Sequence, residues 1–363
     1  MPVYVCMIMI IPVLIGLVGL ASSKGKITLK EFFTQQGVLL AIVILGYFIS
    51  RWTSTQDVEV WSGEIVKKEK NKVSCSHSYP CNPHPCNCDK NGCDTCWDTC
   101  YDHAYDWDWN LYTSNREDRV ITVDRIDSQG SEEPPRWTQV KIGDPTAQAH
   151  DFTNYIKANP GSILRRSGVA ELYKGLIPKY PNKIYDYYYC DRFLVVGDVN
   201  VPGIEKWNRQ LNVTNADLGA KKKMNIVVVA VALNEPEYAY ALEEAWIGGK
   251  KNDLVIVIGI PSYPKIEWVS IFSWSTAEDL KVELRDAIIR VGTMERREEI
   301  GKLIYQMADE KFIHRHMDDF KYLMAGAQPG TAGTIILFIT GTLLSIGMTI
   351  SFWKNDPFGD RYR

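Results

Sequence analysis

Between residues 74 and 103 the chain carries seven of its nine cysteines and three of its six histidines. Thiolate and imidazole are the donors that hold tetrahedral zinc. Cys86, Cys88, Cys93, Cys96 and Cys100, with His84 and His103, are the zinc ligands this spacing allows, and His77 lies beside them. Zinc ribbons use two well-spaced Cys-x-x-Cys knuckles, however, and only Cys93 to Cys96 has that form here. Redox use of that pair would need a thioredoxin-like strand-to-helix setting, which the flanking residues do not offer. Disulfides are the favoured chemistry. Cys75, Cys81, Cys86, Cys88, Cys93, Cys96, Cys100 and Cys190 make the even number that a bridged framework requires. Three prolines and no apolar periodicity mean that residues 74–100 build no core of their own and must be stapled, covalently or by metal. In a cytoplasmic setting the preference would turn to zinc. Next come Asp102, Asp106 and Asp108, interleaved with Tyr105, Trp107 and Trp109. Calcium would use such oxygens, but a strand with acids toward water and aromatics toward a core explains the alternation more simply.

The elements that must position these residues follow from periodicity. Residues 58–66, 119–126 and 136–142 read as strands, and 147–158 as a helix. Residues 180–190 are rich in tyrosine and end at Cys190. Further on, 193–199 is a strand and 204–220 a helix that includes the sequon Asn212-Val-Thr214. Residues 225–232 and 253–260 are continuous apolar runs, the pattern of strands covered on both faces. Between them, Asn234-Glu-Pro opens a helix whose buried stripe is Tyr238, Leu242, Ala245 and Trp246, and Gly248-Gly249 ends it. A third strand covers 266–274. Ser275 and Glu278 form a capping box for a helix striped by Leu280, Leu284, Ala287, Ile288 and Val291. Residues 295–324 read as one long helix. Helices packed on a sheet are expected from 191 onward.

What anchors this body is apolar. Residues 334–353 hold no ionisable side chain, and at about 1.5 Å per residue they cover a hydrocarbon core of about 30 Å. Two further apolar segments lie at 3–21 and 38–49. The first has no positive n-region and the second follows at once, so a retained hairpin is favoured over a cleaved signal peptide. Net charge −3 and a mean hydropathy of −0.18 average these segments with a polar middle. Balanced charge without a basic stripe gives no electrostatic case for nucleic acid. Lys24, Lys26 and Lys30 lie in the short first loop, and Lys354, Arg361 and Arg363 in the C-terminal tail. Positive short loops stay cytoplasmic, which places the N-terminus and residues 53–330 outside. The expected plan is a hairpin at 1–52 with spans near 3–21 and 37–52, then a Cys-rich, β-containing extracytoplasmic domain at 53–190. An α/β domain at 191–325, a third span at 331–353 and a short cytoplasmic tail at 354–363 complete it.

Residues 237–259 (Glu-Tyr-Ala-Tyr-Ala-Leu-Glu-Glu-Ala-Trp-Ile-Gly-Gly-Lys-Lys-Asn-Asp-Leu-Val-Ile-Val-Ile-Gly) resemble the TPM domain family. That family comprises membrane-tethered, extracytoplasmic α/β/α domains of thylakoid-lumen photosystem-repair proteins and many bacterial envelope proteins. A helix, Trp246, a glycine turn with Lys250, an acidic or amide pair and an apolar strand match in order, over about 199–323. Some members are phosphatases and some bind calcium, so the resemblance implies a site near Asp253, with Glu278 and Asp279 at a helix start. The family's Asp-Asn-Gly is here Asn252-Asp253-Leu254, and its paired acids after the strand are here Ile260-Pro-Ser-Tyr-Pro264. Phosphoryl transfer needs clustered charge or a metal, and the three acids read more simply as a loop acid and helix N-terminal acids. Residues 75–109 also resemble uncharacterised membrane proteins of large tailed bacteriophages, which implies no activity. The expected function is a non-enzymatic membrane protein that presents its TPM-like domain for envelope assembly or partner binding. A metal-dependent phosphatase and a zinc-binding recognition module at 75–100 are the alternatives. No cofactor is favoured, and calcium or zinc would serve those alternatives. The expected partners are the lipid bilayer, other proteins or a second copy.

Overall fold

A computed structural model describes residues 2–90, 92–115, 119–159, 161, 168–186, 189–355, 357 and 358. Tyr187 and Tyr188 of the aromatic stretch, and the tail charges Asp356, Arg361 and Arg363, lie outside the described residues. The chain begins with helices α1 (Pro2–Ser22) and α2 (Leu29–Thr53). Strands β1 (Gln56–Val73), β2 (Ser78–Asp89), β3 (Gly92–Tyr101), β4 (Asp106–Thr113) and β5 (Val120–Val123) follow. Next come α3 (Pro135–Gln139), β6 (Pro145–Thr153), α4 (Tyr155–Ala158), β7 (Ile184–Tyr185), β8 (Tyr189–Cys190) and β9 (Phe193–Val196). The remainder is α5 (Ile204–Lys222), β10 (Asn225–Val231), α6 (Tyr238–Ala245), β11 (Asp253–Gly259), β12 (Trp268–Ser273), α7 (Glu278–Val291), α8 (Arg297–Lys311) and α9 (Thr331–Lys354).

The chain divides into two compact units. One comprises Met1–Asp57, Asp151–Arg165 and His316–Arg363. Its α1, α2 and α9 are each long and apolar enough to cross a membrane, with mean hydropathy of 2.7, 1.9 and 2.0. They pack through Ile8, Met9, Leu39 and Val43, with Leu337 against them. Gly46 lets α9 approach, because a Cβ there would fall 2.1 Å from Leu337. A polar clasp joins all three helices. Gln35 Nε2 donates to Ser345 O and Oγ, each at 2.9 Å, and Ser345 Oγ donates to Pro12 O at 3.1 Å. Helix α2 begins earlier than its apolar run because Thr28 and Glu31 form a reciprocal capping box. In the same unit Asn154 caps α4, donating its side-chain amide to Asp57 at 2.8 Å.

The other unit comprises Val58–His150 and Arg166–Arg315. Here β9, β10 and β11 run parallel, and β12 adds antiparallel to β11, in the order β12-β11-β10-β9. Every residue of β10 and β11 is buried. Alternation sends Ile226, Val228, Ala230, Leu254, Ile256 and Ile258 toward α5, α7 and α8. It sends Val227, Val229, Val231, Val255 and Val257 toward α6. That double cover is why both runs are continuously apolar. A second sheet, in the order β5-β4-β1-β6, has its own core of Ile65, Trp109, Leu111, Ile121, Val123 and Val140. The hairpin β2–β3 projects from it between β1 and β4.

Several expected elements fall differently. Residues 136–142 are not a strand, since Pro135 at the first helical position starts the short α3. Most of 147–158 is strand β6, because β1 offers an open edge and helix propensity yields to that pairing. The long helix over 295–324 breaks at Phe312, whose side chain turns into the core while Ile313 N donates to Ser275 Oγ at 3.2 Å. Ser275 is thereby drawn away from capping: α7 starts after Ala277, and Glu278 pairs with Lys281 at 2.7 Å. Helix α6 opens at Tyr238 without a side-chain cap, so Asn234 does not cap it. The acids at and before the start of β4 do not all face water either, since Asp106 is wholly buried.

Candidate functional site

Asp253 opens β11 beside Asn225, which opens β10. Its carboxylate is fully buried and fully engaged. Tyr180 Oη donates to it, 2.9 Å from each oxygen, and Asn225 Nδ2 donates to Oδ1 at 2.8 Å. The Lys250 N–H donates to Oδ2 at 2.6 Å, from a turn in which Gly248 and Gly249 have positive φ. Burial pushes the Asp253 carboxyl up to about 6, against the lowering effect of these donors and of the Lys250 charge. Behind it lies Arg192, 1% exposed just before β9. Its guanidinium donates to Asn212 Oδ1, Asn225 Oδ1 and Ser62 Oγ. Asn225 therefore relays between a buried cation and a buried carboxylate. Burial lowers the Arg192 pKa and raises that of Tyr180 well above its ordinary value. Glu278 and Asp279 are exposed on α7 and pair with Lys281 and Lys311. The network around Asp253 can orient strands, and both oxygens of that carboxylate are engaged in it.

The cysteine segment is a bridged hairpin. Cys81–Cys100, Cys86–Cys96 and Cys88–Cys93 join β2 to β3, with Cα separations of 5.8, 5.7 and 3.9 Å. Five of the sulphurs considered as zinc ligands (Cys86, Cys88, Cys93, Cys96 and Cys100) are thus engaged in disulfides, and His84 lies 3.7 Å from Asp98. Two expected disulfide partners are not bridged. Cys190 is buried, with its thiol donating to Pro181 O at 3.1 Å and its pKa raised by burial. Cys75 is buried at a different place, the stem of the hairpin.

At that stem the fold assembles a group the spacing did not single out. Cys75 and His77 precede β2, His103 and Asp106 follow β3, and one ligand atom from each lies within 4.8 Å of the others. Cys75 Sγ is 3.8 Å from His103 Nδ1, which is 3.3 Å from Asp106 Oδ1. His77 Nδ1 is 4.0 Å from Asp106 Oδ2. That oxygen also accepts from Ser76 N at 3.1 Å and from Arg125 at 2.8 Å, and Arg125 bridges on to Asp108 at 2.8 Å. Burial works to raise the Asp106 carboxyl, but the Ser76 N–H, Arg125 and the Cys75 thiol hold it down at about 2. Asp106 and Asp108 therefore share an arginine, while Asp102 is exposed. The one available signal was that Cys-x-His and His-x-x-Asp bracket the bridged segment at equal depth. For Arg192 it was a cation set immediately before an apolar strand.

Compared with family models, with curated proteins and with solved structures, the chain matches none.

Proposed function

We propose that this is a non-enzymatic integral membrane protein whose mixed α/β body lies outside the cytoplasm and serves envelope assembly or partner binding. The carrying observation is the state of Asp253, the acid on which a TPM-type phosphatase reading depends. It is wholly buried, both oxygens accept hydrogen bonds, and its neighbours Arg192, Asn225 and Tyr180 form a closed network. Catalytic carboxylates must reach substrate or metal, so this one serves to hold the starts of β10 and β11 together. The TPM-like reading of 199–323 is supported by the α/β/α layering around β10 and β11. An outside placement is supported by three disulfides in the hairpin, since such bridges persist in oxidising compartments.

The test is a phosphatase assay on the full-length chain in detergent, with and without calcium or magnesium, beside Asp253→Asn. No turnover above a heat-treated control is expected for either protein. Metal-dependent turnover that Asp253→Asn abolishes, with the variant's melting curve intact, would establish the phosphatase and overturn this reading.

A further inference from the structure

We propose that Cys75, His77, His103 and Asp106 bind one Zn²⁺ and so fasten the stem of the bridged hairpin to the sheet. The inference goes beyond the function proposed above and holds whichever side of the membrane the body occupies. The first support is geometry. With zinc about 2.0–2.1 Å from nitrogen or oxygen and about 2.3 Å from sulphur, tetrahedral edges are about 3.3–3.4 Å for N···O and about 3.6 Å for S···N. Two separations match, 3.3 Å from His103 Nδ1 to Asp106 Oδ1 and 3.8 Å from Cys75 Sγ to His103 Nδ1, and all four ligand atoms lie within 4.8 Å, so the set must contract around the ion. The second support is an orphaned atom. Asp106 Oδ1 is wholly buried and meets no donor in full hydrogen-bond geometry among the described residues, with His103 Nδ1 3.3 Å away as its ion-pair neighbour. Its other oxygen is held by Ser76 N and Arg125, which aims Oδ1 at the cysteine and histidines. Such outer partners are what orient metal-binding carboxylates.

The donor set selects the metal. One thiolate and two imidazoles suit zinc, whereas calcium and magnesium take oxygen. The covalent neighbourhood agrees: six cysteines of the segment are paired within β2–β3, and Cys75 is kept apart from them. Binding replaces the thiol proton, which leaves to solvent as the Cys75–zinc bond forms. Because two ligands precede the hairpin and two follow it, the ion would close the loop at the register pair Val73 and Asp106.

The test loads the full-length chain in detergent with Zn²⁺, removes excess by gel filtration and counts metal per chain. Co²⁺ replaces zinc for spectroscopy. One ion per chain is expected, with a thiolate-to-cobalt charge-transfer band that Cys75→Ser removes and Cys190→Ser leaves. His77→Gln alters a half-exposed side chain and spares the fold. It should weaken zinc at least about 10–100-fold in chelator competition, the loss known for outer-shell partners. Arg125→Ala should fall in that same range, and His84→Gln should change nothing. Wild-type chain that holds no stoichiometric zinc, or gives cobalt no thiolate band, overturns the proposal without any variant. So does His77→Gln with unchanged affinity.

Discussion

Two carboxylates, Asp253 and Asp106, have no exposed surface in one compact unit, but Asp253 lies deep among packed side chains while Asp106 sits under a thin cover at the hairpin stem, beside the half-exposed His77, and their pKa values move oppositely. Among the described residues Asp253 accepts from the Tyr180 hydroxyl, the Asn225 amide and the Lys250 N–H, but burial prevails over these donors and the Lys250 charge: its pKa rises to about 6. Asp106 is gripped by the guanidinium of Arg125, and burial loses: its pKa falls to about 2. Arg192 could have done for Asp253 what Arg125 does for Asp106, but Asn225 stands between them, accepting from Arg192 and donating to Asp253. The lesson is that exclusion of water does not by itself set a carboxylate's behaviour. Depth of burial set against the donors decides the sign: the Ser76 N–H, Arg125 and the Cys75 thiol outweigh it at Asp106, and the donors around Asp253 do not. The two sites also differ in completeness. Both oxygens of Asp253 are satisfied, while one oxygen of Asp106 is left facing sulphur and imidazole.

The comparison breaks most sharply at Arg192. Arg192→Ala removes the donor to the buried Asn225 Oδ1 and Ser62 Oγ, and it should cost about 2–6 kcal/mol, at about 1–3 for each acceptor left bare. Denaturant melts of the full chain in detergent would measure it, and a loss below about 1 kcal/mol would mean the network is not cooperative. Next in size is a pH effect. Asp253 is raised when folded, so folding takes up a proton between the ordinary value of 3.8 and about 6. Its contribution is present in full below pH 3.8, declines through about pH 6 and is flat above, a fall of about 3 kcal/mol. Stability measured from pH 4 to 7 should fall on this account in the wild type, and Asp253→Asn should flatten that part of the slope. An identical slope in the variant would move the effect to another group. The smallest change belongs to the other site: Asp108→Asn removes a partly exposed partner of Arg125 and should cost only about 0.5 kcal/mol. A loss of several kcal/mol would show that Arg125 depends on Asp108 to hold Asp106.

Local pattern carried much of the architecture. Uninterrupted apolar runs identified α9, β10 and β11, because covered faces on both sides demand apolar residues throughout β10 and β11, and a hydrocarbon core demands them around a spanning helix such as α9. The stripe Leu280, Leu284, Ala287, Ile288 and Val291 located α7 for the same reason. The prolines and the lack of apolar periodicity identified the bridged segment, since a stretch without core must be stapled, while the count of eight cysteines wrongly included Cys75 and Cys190. What composition could not supply was partnership at a distance. Strand β6 exists because β1 lies open beside it, and α8 ends where Phe312 finds a core that no local signal describes. The pairing of six cysteines, and the exemption of Cys75 and Cys190, follow from which Cα atoms the hairpin register brings near each other. The stem of that hairpin places His77 and His103 beside Cys75 and Asp106, and the segment before β7 places Tyr180 beside Asp253. Side-chain type and local period belong to the chain as written. Which charge meets which acid, and through what, is a property of the folded contacts alone.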